Sequence, residues 1–186
     1  MIAVGAVALD ANVLVPIVAC DFLLTAFDHG LYEPVVSAAV LDEVERTLLE
    51  DFPHIDPAGL RRRVGYLRLA LADHAVETTE AEVPEAINPK DRHVVGAALA
   101  AEATLLVTED TALRREIDAA RIGVEPVDVD AFAVRLWTAS PAGVDETIHR
   151  LIAKRRRRPI SEAEMAAQLA AHFPSMSAAW LARTKG

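Results

Sequence analysis

Cysteine is almost missing from this chain: Cys20 is the single one in 186 residues. No disulfide can therefore form within the chain, which is compatible with a reducing compartment. Aromatic residues are scarce too, at 5%, and the 52% hydrophobic fraction draws mostly on Ala, Val and Leu. That mixture suits helices packed on a layer of strands. Long uncharged runs are also absent, and no stretch approaches the roughly 20 residues that a membrane span needs. Ile17-Val18-Ala19-Cys20 has the look of a lipoprotein cleavage site. No Lys or Arg precedes it, however, and Asp10 and Asn12 interrupt the apolar run, which speaks against that reading. The expectation is a soluble, cytoplasmic protein with no membrane association, no internal repeat and no low-complexity tract.

Basic charge is in deficit, with 19 Lys and Arg against 28 Asp and Glu and a net charge of −9. By itself this argues against nonspecific nucleic-acid binding. The deficit is uneven. Residues 1–140 carry 24 acids and 11 bases, whereas residues 141–186 carry 4 acids and 8 bases. Four of those bases are consecutive: Arg155, Arg156, Arg157 and Arg158. Such a run is a dense phosphate-binding element, and contact with an acidic protein partner suits it equally well. Ser140-Pro141-Ala142-Gly143 reads as a boundary, dividing a domain over 1–138 from a helical, basic C-terminal extension over 139–186.

What is present is an alternation of short apolar runs with helical periodicity. Residues 4–9 read as a buried strand. A helix follows over 16–27, with Gly30 as its break, and a strand over 33–37 ends in Ser37 as an N-cap. Helices are expected over 38–49, 57–72, 91–101, 111–120 and from 130 onward, with strands at 74–76, 103–107 and 123–127. Residues 77–88 read as an acidic loop. Beyond the boundary come a helix over 144–153, another from a capping-box sequence at Ser161 to His172, and a last helical turn with Trp180. Strands alternating with helices imply an α/β fold of three layers, helices on both faces of a central parallel sheet. Ligands in such folds gather at the carboxyl ends of the strands.

Four acids stand at the edges of these elements. Asp10 ends the first strand, Glu43 lies in the second turn of a helix, Asp91 opens a helix, and Asp110 follows the strand over 103–107. Alone, each has a plainer explanation as a turn residue, a cap or a solvated helix position, and Asp42 competes with Glu43. Together, converging carboxylates repel unless a cation sits among them, and a divalent metal is the simplest one. Metal plus acids suggests phosphodiester chemistry. Asn12 and Thr108 would orient water or a carboxylate. His93 is a conceivable ligand, though hard cations favour oxygen. Arg61, Arg62 and Arg63 read as phosphate contacts or as a solvated helix face, and Trp137 and Trp180 as base-stacking or packing residues.

The ordered set resembles a PIN domain. Asp10-Ala11-Asn12-Val13-Leu14 matches the opening motif of that family, and the helix with Glu43 its second acid. Pro89-Lys90-Asp91-Arg92-His93 matches the third and Leu106-Val107-Thr108-Glu109-Asp110 the fourth. The likeness covers residues 1–130, and the style is similar to the toxins of bacterial VapBC toxin–antitoxin pairs, with residues 131–186 as an added extension. The resemblance implies a Mg²⁺- or Mn²⁺-dependent endoribonuclease with Asp10, Glu43, Asp91 and Asp110 as catalytic acids. Asp10, Asp91 and Asp110 would be metal ligands. It also implies an RNA substrate, inhibition by a cognate antitoxin protein and a homodimer. Two other functions stay open. One is a nonenzymatic RNA- or protein-binding module. The other is a haloacid-dehalogenase-like phosphatase, which needs a second Asp two places after the first, where Asn12 stands.

Overall fold

A computed structural model of the chain describes residues 4–78 and 82–184, so part of the expected acidic loop over 77–88 lies outside the described residues. Five strands, β1 (Ala6–Leu9), β2 (Glu33–Ser37), β3 (Ala75–Val76), β4 (Leu105–Val107) and β5 (Glu125–Val127), form one sheet in the order β3-β2-β1-β4-β5. β1 pairs with β4, β4 with β5 and β2 with β3, all parallel. The chain first builds outward from β1 to β3, then returns to the other side of β1 for β4 and β5. The winding direction reverses between β1 and β4, which is where open α/β sheets bind ligands.

The helices are α1 (Ala11–Leu14), α2 (Ile17–Asp28), α3 (Ala38–Asp51), α4 (Pro57–Ala70), α5 (Arg92–Ala100), α6 (Thr111–Ala120), α7 (Val129–Ala139), α8 (Pro141–Lys154), α9 (Glu162–Leu169) and α10 (Pro174–Thr184). The fold is thus an α/β sheet flanked by helices, with further helices at the C-terminal end. Contacts divide it into two compact units. The sheet unit comprises Ala6–Val15 and Pro34–Val127, and a helical unit takes Pro16–Glu33 together with the chain after Val127. α2 therefore groups with α7 to α10 rather than with the sheet.

In the sheet unit the central strands are apolar without alternation because both faces are covered. Val7, Ala8 and Leu9 of β1 and Leu106 and Val107 of β4 are fully buried. α3 buries Val40, Leu41, Val44 and Leu48, a stripe at helical spacing, and starts where the Ser37 hydroxyl accepts from the Val40 amide. α5 buries Val94, Val95, Ala97 and Ala98. Each large aliphatic side chain hidden in this way stabilises the unit by about 1.5–3 kcal/mol. Two local details differ from the sequence expectation. α1 is a short helix directly after Asp10, and Asp91 sits in a 3-10 turn (Pro89–Asp91), so α5 opens at Arg92. Arg63, expected on a phosphate or in solvent, donates to the carbonyls of Leu14 and Val15 at 3.0 and 2.9 Å. It satisfies the open end of α1.

The helical unit is held by what few aromatics the chain has. Phe22, Phe132, Phe173 and Trp180 are fully buried. The Phe22 and Phe173 rings lie 4.7 Å apart, and Tyr32 meets Phe132 edge-on at 5.1 Å. Trp180 donates its indole N–H to Asp145 at 2.8 Å. Burial removes Trp180 from any base-stacking role, and the expected last turn is an 11-residue helix, α10. A helix starts within the segment 140–143 expected as a boundary. The Ser140 hydroxyl accepts from the Gly143 amide, and Pro141 takes the first helical position, where its missing N–H costs nothing. α9 does begin on a complete capping box between Ser161 and Glu164.

Candidate active site

Asp10 follows β1 as the N-cap of α1, and its Oδ1 accepts from the Ala11 amide at 2.7 Å. The plain explanation for this residue, a helix cap, is therefore correct for one of its oxygens. The other does something else. Oδ2 accepts from the Thr108 hydroxyl at 2.6 Å and from the Asn12 side-chain amide at 2.6 Å. Asn12 also donates to Thr108 Oγ1 and accepts from the Glu109 amide, so it ties the end of β1 to the end of β4. Because Asn12 presents N–H to Asp10, it has no proton to give as a general acid at the place where a phosphatase of the haloacid-dehalogenase type needs Asp. Burial pushes the Asp10 carboxyl above its usual range. The bonds from Thr108 and Ala11 and the nearby His93 pull the other way, and the Glu43 charge adds to the rise.

Asp110 repeats the pattern after β4. Its Oδ1 caps α6 by accepting from Ala112 and Leu113 at 2.7 and 3.1 Å, and its Oδ2 faces Lys90 Nζ at 3.2 Å. The Leu113 amide first, then Lys90 and the Ala112 amide, hold this carboxyl below its usual range against the opposing effect of burial. Asp91 is different. It stands at the N-cap place of α5 yet makes no capping bond, so its carboxylate is not spent on the helix. Burial raises its pKa; Lys90, at 3.7 Å, opposes this, and the charges of Asp110, Asp10 and Glu116 reinforce it. A half-buried acid without a cap bond, among other acids, is the usual condition of a working carboxylate.

Glu43, on α3, reaches the same cavity. Its Oε2 lies 3.0 Å from His93 Nε2, and its Oε1 3.8 Å from Arg46. The His93 nitrogen is buried and makes no hydrogen bond among the described residues. The approach is close but poorly aligned. Asp42 also borders the cavity but spends its carboxylate on Arg68 at 2.6 Å.

Asp10, Asn12, Glu43, Asp91 and Asp110 all line one open cavity of about 460 Å³ in the sheet unit, with Lys90, His93 and Arg46. Nothing in the sequence marks Lys90 or Arg46 as a residue of the cavity. A lysine beside an aspartate at a helix start carries no signal that separates a site cation from a solvated one. Arg155, Arg156, Arg157 and Arg158 are not part of this cavity. They follow α8 in the helical unit, exposed, with Arg155 and Arg158 bordering a smaller cavity of about 340 Å³ with Glu164.

Among the described residues no group of three or more His, Cys, Asp or Glu side chains is already gathered tightly enough to hold a metal ion. The chemistry of the donors still fits one. The acids offer carboxylate oxygen to a hard cation, and Asp91, which lines the same cavity as Asp10 and Asp110, is free of a capping bond. No helix of the described residues is long and apolar enough to cross a membrane.

Compared with known families, residues 6–112 match the family model described as the PIN domain. The match takes in Asp10, Glu43, Asp91 and Asp110. Comparison with the curated proteins and with the solved structures returns no match.

Proposed function

From the premise that the chain belongs to the PIN-domain family, whose members are generally nucleases, we propose that it is a metal-dependent endoribonuclease. The observation that carries this reading is the joining of Asp10, Asp91 and Asp110 with Glu43 in one cavity at the carboxyl ends of β1 and β4. Asp10 and Asp91 would hold a Mg²⁺ or Mn²⁺ ion, with Asp110 as a third ligand. When bound, the cation supplies an activated water and offsets charge on the scissile phosphate. The chain's own groups do the rest. Thr108 and Asn12 fix the Asp10 carboxylate by two 2.6 Å bonds. Glu43 would accept a proton from the attacking water, its carboxylate lying 3.0 Å from His93 and 3.8 Å from Arg46. Arg155 to Arg158 would meet RNA phosphates or an acidic partner.

The family style further suggests the toxin of a type II toxin–antitoxin pair, a cytoplasmic homodimer restrained by a cognate antitoxin. A second reading, a nonenzymatic RNA- or protein-binding module, draws support from Lys90, whose ammonium already faces two of the acids. Incubation of mixed tRNA, rRNA and mRNA with Mn²⁺ separates the two. Cleavage leaving 5′-phosphate and 3′-hydroxyl ends, reduced at least about 100-fold in Asp10→Asn, supports the nuclease. Metal binding without cleavage of any of these RNAs supports the module. Arrest of growth on expression, relieved by a co-expressed neighbouring reading frame, tests the toxin assignment separately.

A further inference from the structure

Among the described residues, Lys90 is the one lysine bordering the acidic cavity. Its Nζ lies 3.2 Å from Asp110 Oδ2 and 3.7 Å from Asp91 Oδ2, so the ammonium spans two of the three acids proposed as metal ligands. The side chain is 62% exposed, and those of Asp91 and Asp110 are 16% and 27% exposed. The lysine is therefore tethered to the rim by its backbone while its charged end reaches inward. Lys90 is also fixed at its root: Asn88 accepts from the Lys90 amide at 3.1 Å, and Pro89 precedes it in the 3-10 turn. The root is rigid and the stem is not, since a lysine carries four rotatable bonds and a strongly hydrated head.

Taking the cavity as a divalent-cation site, as proposed above, we infer that Lys90 is a built-in counter-cation that competes with the metal for Asp91 and Asp110 and sets the metal concentration at which the site fills. Two carboxylates facing one cavity repel each other, and a single positive charge between them relieves this. A divalent ion drawing on the same oxygens must first break the Lys90 contacts and then tolerate a unit positive charge nearby. Both effects weaken its binding relative to a site without the lysine. No backbone movement is needed for release, because the exposed stem can turn the ammonium outward into water. Lys90 is thus a positioning residue: it keeps Asp91 and Asp110 facing each other while the metal is away, and it hands them over when the metal arrives.

The test compares Mn²⁺ binding by calorimetry for the full chain and for Lys90→Met, which keeps the stem and removes the charge. At moderate salt the variant is expected to bind Mn²⁺ roughly tenfold more tightly, the size expected from removing one neighbouring like charge at a half-exposed site. Lys90→Arg, which restores the charge, is expected to return the affinity toward that of the parent chain. Melting in EDTA gives a second readout. Without metal the Lys90→Met protein should melt no higher than the parent, whereas saturating Mn²⁺ should raise its Tm by more than it raises the parent's. Equal Mn²⁺ affinity in parent and Lys90→Met would overturn the inference while leaving the metal-dependent nuclease reading intact. Weaker Mn²⁺ binding in Lys90→Met would overturn it too, by making the lysine a supporter of the filled site. No Mn²⁺ binding by any of the three proteins would remove the metal reading, and the inference with it.

Discussion

Thr108 donates its hydroxyl to Asp10 Oδ2 at 2.6 Å, joining the residue after β4 to the residue after β1. Both are buried, Thr108 completely. This bond opposes the rise that burial imposes on the Asp10 carboxyl, so it keeps a charged ligand available in a place that disfavours charge. Thr108→Val preserves the shape and removes the donor. Stability is expected to fall by about 1–3 kcal/mol, the cost of leaving a buried charged acceptor short of a partner. RNA cleavage should fall by about 10–100-fold, the usual effect of losing a group that orients a metal ligand. Urea unfolding and cleavage assays at several Mn²⁺ concentrations check the two effects. Unchanged cleavage would remove Thr108 from the site.

Asn12 is placed to reveal why an amide stands where a carboxylate would make a different enzyme. Its Nδ2 donates both to Asp10 Oδ2 and to Thr108 Oγ1. Asn12→Asp exchanges these donors for an acceptor set against an existing carboxylate. The two acids would then share a proton, and their joint uptake of it would move up in pH. The variant is expected to lose about 2–3 kcal/mol at neutral pH. Since protonation relieves the repulsion, part of that loss should return as the pH falls toward 4.5. Denaturant melts at pH 7 and pH 4.5 measure the difference. A deficit that grows on acidification would show that the repulsion is not the cause.

The parallel sheet was legible in the chain because each central strand is a short apolar run closed by a carboxylate or hydroxyl, and each helix after it starts with a capping residue. Ser37, Asp110 and Ser161 all cap the helices expected of them. Asp10 and Asp110 were legible for a further reason. A carboxylate has two oxygens, and in both residues one of them caps a helix while the other faces a partner outside it: Thr108 and Asn12 for Asp10, Lys90 for Asp110. The cap and the site are the same feature read twice. Lys90 was not legible, because its meaning depends on two acids that only folding brings near it. The grouping of α2 with α7 to α10 was hidden for the same reason. Phe22 and Phe173 are separated by most of the chain, and neither has a local pattern that points to the other. Gly143 misled, since Ser-Pro-Ala-Gly reads as a loop when the glycine is taken for flexibility.

His149 offers a pH test away from the candidate site. Its Nε2 lies 3.1 Å from Glu162 and its Nδ1 3.6 Å from the Asp145 carboxylate. The bond to Glu162 first, then the Asp145 carbonyl and both charges, raise the His149 pKa against the opposing effect of burial. A histidine raised on folding binds its proton more tightly in the folded state. Its stabilisation is therefore fully present below its unfolded pKa, about 6.5, and is lost as the pH rises through the raised folded value. The side chain is 48% exposed, so solvent screening keeps the effect small. Glu162→Gln is expected to lower Tm more at pH 6 than at pH 9. The helix-dipole contribution of Glu162 in the first turn of α9 is constant over that range, so only the pH-dependent part reports the pair. A Tm difference that is flat from pH 6 to pH 9 would dismiss it.

Gly143 is the third residue of α8, where alanine would ordinarily favour the helix by about 1 kcal/mol. Here the sign should reverse. A Cβ at this position would stand 2.5 Å from Leu31 Cδ2 and 2.8 Å from Ser140 Oγ. Leu31 is buried and has little room to turn, and the Ser140 oxygen is the acceptor that caps the helix. Overpacking against Leu31 costs about 1–3 kcal/mol, and a displaced cap about 1 kcal/mol more. Gly143→Ala is therefore expected to destabilise the protein by about 1–3 kcal/mol net of the helix preference. Leu31→Ala carries its own cavity cost, but the double variant should be more stable than the two single effects added together, because the smaller side chain admits the new methyl. Chemical denaturation of the four proteins measures that coupling. Strict additivity would mean that Leu31 yields freely and that the glycine is there for another reason.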